Sequence, residues 1–204
     1  MKTLFILISG MLCCQLQAMS QSHKQNTYKQ LPKIYRDRDS LVRSVVADKN
    51  YTYWEYVEGG IDTTKEGYVI FSKGKRPDSV KFKDPGGSLF IGCLPAFCYK
   101  YIAYVYNGKV GYIISNEQFI EFMGDIDNLQ EAVLLAELKT GVYPDQSKKG
   151  GAYLQAKGLY EIILTKETLC PNTKEAFHFT IDTKGIVKKV SKGIYFKSPA
   201  CIVI

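Results

Sequence analysis

The hydrophobic pattern changes period within one stretch, Tyr99 to Leu138. Its first part, YKYIAYVYNGKVGYIIS, is rich in β-branched and aromatic residues on both sides of Asn107-Gly108. A two-residue type I′ turn needs φ > 0 at both central positions, which Asn-Gly adopts at least cost, so the stretch predicts a β-hairpin. The turn sets the register: Tyr106 opposite Lys109, Val105 opposite Val110, Tyr104 opposite Gly111, Ala103 opposite Tyr112, Ile102 opposite Ile113 and Tyr101 opposite Ile114. The period of two puts Tyr101, Ala103, Val105, Val110, Tyr112 and Ile114 on one face, read as the core face. The other face carries Lys100, Ile102, Tyr104, Tyr106, Lys109 and Ile113, which is too apolar for open solvent and predicts a central place in a sheet. Tyr104 is set to cover the bare backbone of Gly111.

The second part has helical spacing. Ser115 and Gln118 form a capping box ahead of Phe119, Ile120, Phe122 and Met123, and Gly124 breaks that helix. Asp127 with Gln130 predicts a restart, and Leu129, Ala132, Val133, Leu135, Ala136 and Leu138 give a broad apolar stripe ended by Gly141 and Pro144. A hairpin feeding an amphipathic helix predicts an α+β domain: an antiparallel β-sheet with one or two helices, about residues 116–139, packed on one face.

Elsewhere the pattern is less regular. Residues 21–40 are polar and interrupted by Pro32, which predicts an irregular leader, with an amphipathic turn or two over Ser40–Ala47 through Leu41, Val45 and Val46. Strands are expected at Tyr51–Val57, Gly67–Ser72, Ser79–Lys83 and Leu159–Thr165, with Gly59-Gly60, Lys73–Asp78 and Pro85-Gly86-Gly87 as turns and loops. Trp54, the only Trp, is assigned to packing. Pro144–Gly151 reads as a mobile polar loop. Lys174–Ile181 and Ile186–Phe196 predict a second hairpin over Asp182–Gly185, with Phe177, Phe179 and Ile181 on one face and Ala176, His178 and Thr180 on the other.

Composition adds an address. Lys2, the apolar run Leu4–Leu12 and Ala18-Met19-Ser20 fit a secretory signal peptide of residues 1–20, cut after Ser20 or alternatively after Ala18. Cys13 or Cys14 would be the lipidated residue of a lipoprotein, but Leu12 and Met11 are poor neighbours for that signal. No later run reaches the ~18 apolar residues of a transmembrane segment. The formal charge is +7, and loss of Lys2 with the signal leaves +6. Residues 21–50 hold seven Lys/Arg and three Asp, net +4. The excess therefore marks a basic, partly disordered leader over residues 21–49, ahead of a single domain over residues 50–204, and no nucleic-acid partner is inferred.

Four cysteines follow the signal: Cys93, Cys98, Cys170 and Cys201. An even number in an exported chain points to disulfides. The second hairpin brings Cys170 near Lys197 and so close to Cys201. A Cys170–Cys201 bond would tie the hairpin's mouth and contribute about 2–4 kcal/mol, leaving Cys93 to pair with Cys98. Zinc knuckles would show Cys-x-x-Cys twice, and a redox pair would open a helix. Neither pattern is present, and no cofactor is expected. Ser88 lacks the Gly-x-Ser-x-Gly elbow. His178 is the one histidine on a predicted strand and reads as a sheet-face residue before it reads as a base. Asp125-x-Asp127 and the pair Glu117, Glu121 read as capping and solvent groups rather than cation or acid–base sites.

The signal ending Ala18-Met19-Ser20-Gln21, the segment Ile126–Ala132 and Cys170-Pro171 give the chain a resemblance to small exported proteins of Bacteroidota. That group has no assigned activity, so the resemblance carries over no functional residue. The expected role is a non-catalytic binding or structural protein of the periplasm, cell surface or medium. Its ligand would be an unknown protein or small molecule, with Tyr104, Tyr106 and His178 as a possible binding surface. An exported enzyme (a hydrolase or a thiol-based one, using scattered acids or His178) and an inhibitor or immunity-type partner of a secreted enzyme are the alternatives.

Overall fold

The computed structural model describes residues 27–60, 67–92 and 98–202. The expected signal peptide of residues 1–20, with Cys13 and Cys14, and Cys93 lie outside these residues. The fold is α+β with antiparallel sheets, and the sheet is double. One sheet has the order β1 (Lys29–Gln30), β7 (Gly151–Ala156), β8 (Leu159–Leu169), β9 (Asn172–Asp182), β10 (Val187–Ser198). The other has β3 (Tyr68–Gly74), β2 (Tyr53–Gly59) and β5 (Cys98–Tyr106), whose far edge pairs with both β4 (Phe90–Gly92) and β6 (Lys109–Ile113). Helices α1 (Arg38–Arg43), α2 (Asn116–Met123) and α3 (Leu129–Thr140) lie between the sheets, in one continuous core.

The hairpin β5–β6 has the expected register from Tyr106↔Lys109 to Ile102↔Ile113, with positive φ at Asn107 and Gly108. Tyr101 and Ile114 do not pair, because β6 ends at Ile113. A Cβ at residue 111 would run into the Tyr104 ring, so the tyrosine does lie over bare glycine. The face assignment is corrected. Ile102 and Ile113 face the main core with the helices, whereas Tyr101, Ala103 and Val105 belong to a second, smaller cluster on the outer side. Phe82 closes that cluster, stacked on Tyr53 and edge-on to Tyr112. Ser79–Lys83 is therefore not a strand; it is a coil between Pro77 and Pro85 whose Phe82 plugs the outer face of the sheet.

The helix boundaries follow local chemistry. Ser115 caps α2 by accepting from the Gln118 N–H, while the Gln118 side chain accepts from the Ile114 N–H. The cap of α3 is one residue later than expected: Asn128, not Asp127, accepts from the Glu131 N–H. Glu131, not Gln130, is the partner that reaches back. Its carboxylate accepts from the N–H groups of Asp127 at 2.7 Å and Val46 at 2.6 Å. Glu131 is fully buried, and burial raises its pKa against the opposing pull of those backbone donors. Gly141, in the left-handed region, ends α3. The helix is buried nearly all round, from Leu129 through Ala136, because it has a sheet or a helix on every side.

Two further expectations change. From Thr27 onward the basic segment is packed, not loose: Leu31, Tyr35, Leu41, Val42 and Val45 are buried in the main core. Their spacing is that of a folded strap, and Lys33 and Arg36 between them are exposed. Gly151, placed at the end of a loop, begins β7, which pairs with β1 and β8. In the second hairpin Phe179 and Ile181 are buried as expected, and bulges near Ser191 and Ile194 shift the register towards the open end. Cys170 and Cys201 form a disulfide there. Cys98 is also disulfide-bonded.

Candidate functional site

A cleft of about 610 Å³ lies at one end of the helical layer. Four separate parts of the chain build it. The 3-10 turn Lys33–Arg36 and the start of α1 supply Tyr35, Arg36 and Arg38; β4 supplies Phe90 and Ile91; the start of α2 supplies Asn116; the end of α3 and the turn after it supply Glu137, Leu138 and Val142. Its volume falls in the range of small-molecule sites, roughly 300–1,000 Å³. The floor is apolar, with Leu89, Phe90 and Val142 buried, and Ile91 stands 78% exposed at the rim.

Polar groups converge on this floor. Arg38 donates from Nε to Glu137 Oε1 at 3.0 Å and pairs with the same oxygen through Nη2. Its guanidinium also lies 4.5 Å over the Phe90 ring, so it joins α1, β4 and α3. Asn116, the first residue of α2, donates to the Leu138 carbonyl at 3.2 Å and so relieves an orphan carbonyl of the last turn of α3. Tyr143 hydrogen-bonds Glu167, and burial followed by that bond raises its pKa.

The residues singled out in the sequence are elsewhere, and in two places. Tyr104 and Tyr106 both pack against Tyr51, with ring centroids at 4.9 and 5.3 Å, beside the helix-facing side of β5. His178 is on the outer face of the other sheet. It is diagonal to Glu161 on the neighbouring strand, and His178 Nε2 is 3.2 Å from Glu161 Oε2. Tyr28, just before β1, donates to the same carboxylate and its hydroxyl is 2.9 Å from His178 Nε2. Burial, then the bond to Glu161, pushes the Tyr28 phenol up. This trio fastens the N-terminal strap to the sheet.

Asp125 pairs with Lys184 at 2.6 Å, and Glu121 pairs with Lys49 at 3.3 Å. Among the described residues no three His, Cys, Asp or Glu side chains are grouped to hold a metal ion, and no helix is long and apolar enough to cross a membrane. The cleft itself was not legible. Arg36 and Arg38 were read as part of a solvated leader, and the available signal was the recurrence of Leu31, Tyr35, Leu41, Val42 and Val45 between the charges.

No protein-family model, no curated protein and no solved structure matches the chain.

Proposed function

We propose that this is a non-catalytic exported binding protein that takes a small ligand in the cleft between Arg36, Ile91 and Leu138. The observation that carries the reading is the cleft itself: about 610 Å³, apolar at the floor, with a few polar groups brought together from three chain segments. The Cys170–Cys201 disulfide suggests an oxidising compartment, which agrees with export. Placement in the periplasm or outside the cell, and kinship with small exported proteins of Bacteroidota, belong to the same proposal.

The test is a ligand screen by thermal shift on the mature protein, repeated on Leu138→Trp. Leu138 lines the cleft and is only part-buried, so an indole there fills the space without breaching the core. Hits that stabilise the parent and not the variant support the reading. Hits that stabilise both place binding elsewhere. A second reading rests on the contact between His178 and Glu161, a base beside a carboxylate. For that reading a hydrolase panel must show an activity that His178→Ala abolishes.

A further inference from the structure

The polar balance at the mouth of the cleft is uneven. Among the described residues, the carboxylates near it are already engaged. Glu137 holds Arg38, and Asp37 accepts from Ser40. Asp39 accepts from Lys100 at 2.7 Å and from Tyr56 at 3.2 Å. Asp145 is paired with Lys174 and Tyr195, and Glu167 accepts from Tyr143. The cations are not balanced in the same way. Arg38 is satisfied by Glu137, but Arg36 lines the cleft, is exposed, and enters no ion pair or side-chain hydrogen bond among the described residues. The two helix ends at the cleft, the start of α2 and the end of α3, carry opposite partial charges and offset one another. What remains is the unpaired Arg36 guanidinium above an apolar floor, with Ile91 exposed at the rim.

Resting on the cleft as the binding site, we infer that its ligand is an amphipathic anion: one acidic head group on an apolar body. The head pairs with Arg36, whose planar fork matches a carboxylate's two oxygens. The body lies against Leu138 and Ile91, the apolar lining residues with surface left to cover, and burial of that surface drives binding. Arg38 does not compete for the head, because Glu137 already occupies it. Cationic amphipaths are disfavoured by Arg36, and neutral ones gain only the apolar term.

The experiment is calorimetry on the mature protein with three probes of equal chain length: decanoate, decanol and decylammonium, each below its aggregation limit. Decanoate is expected to bind one to one, about tenfold more tightly than decanol, the gain of one charge-assisted contact at a solvent-facing site. Decylammonium is expected to be the weakest. In Arg36→Ala the decanoate-to-decanol affinity ratio falls to about one, and Arg36→Lys restores part of it. Added salt narrows the preference in the parent protein. If Arg36→Ala leaves the decanoate-to-decanol ratio unaltered, the anion inference is wrong. If decanoate and decanol bind equally and Leu138→Trp blocks both, the cleft is a binding site but not for anions. If no probe binds, or Leu138→Trp blocks none of them, the inference falls together with the assignment of the cleft.

Discussion

The two sheets share one helical layer but differ in what lies behind them. The sheet containing β5 is covered on both faces, by the helices within and by the Phe82 plug without. The sheet containing β9 is covered on one, and its outer face carries Tyr28, Glu161 and His178. The difference explains why alternation assigned one strand correctly and misassigned the other. In β9 the apolar residues Phe179 and Ile181 face the core, and His178 and Thr180 face outward, so the period of two reports a real contrast in solvent. In β5 both faces are apolar, so alternation separates two sets of side chains without saying which faces the larger core.

The contrast is most strongly tested in the main core. Phe122 packs its ring against Tyr51 and Trp54 and is almost fully buried. Phe122→Ala is expected to cost about 3–5 kcal/mol by chemical denaturation, the range for a sealed Phe site. Phe82→Ala, at the outer plug, is expected to cost clearly less, since water can refill a site closed only by coil. Equal losses would make the outer cluster a core of the same rank.

Next in size is Glu131→Gln. The carboxylate serves two backbone N–H groups through different oxygens. The amide has one oxygen, so it leaves one buried donor unsatisfied, for about 1–3 kcal/mol. Full stability in this variant would show that water can reach the cap.

On the exposed face the effects shrink. Tyr28→Phe removes the hydroxyl shared by Glu161 and His178, and the expected loss is about 0.5–1.5 kcal/mol. Hydrogen exchange of the β1 and β7 amides should quicken while that of β5 stays unchanged. A uniform change across both sheets would mean that the strap holds more than its own edge.

The smallest effect is one of pH. Burial opposes ionisation of Asp145, but bonds from Tyr195, the Gln146 N–H and Lys174 outweigh it and hold the carboxyl below its usual range. A depressed carboxyl contributes its stability fully above the unfolded carboxylate pKa and loses it as pH falls through the folded value. Asp145→Asn should therefore flatten the acid limb of the stability curve and leave the limb above neutrality alone.

How much was legible in the chain depended on how local the cause was. Asn107-Gly108, Ser115, Gly141 and the cysteine pair near the mouth of the second hairpin act within a few residues of one another in space, and each led to the right element. The cap of α3 was missed by one residue because Asp127 and Asn128 are both good caps, and only the burial of Glu131 decides between them. The two-residue strand β1 exists because β7 offers it an edge more than a hundred residues later, which no local pattern reports. The cleft was hidden for the same reason. Its walls come from residues 35–38, 89–91, 116 and 137–144, and the basic character of the first wall resembles solvated chain.

The position of α3 has a consequence for how the chain is made. A polypeptide emerging from the ribosome N-terminus first completes β2 to β6 and the three helices before any of β7 to β10 exists. At that moment α3 has cover from one sheet only, and its far side, destined for Ile162, Leu164 and Phe179, is bare. The strap at Lys29–Gln30 has no edge to join until Gly151 onward arrives. A nascent chain halted near residue 145 thus presents a sticky helix face, which β8 and β9 then cover.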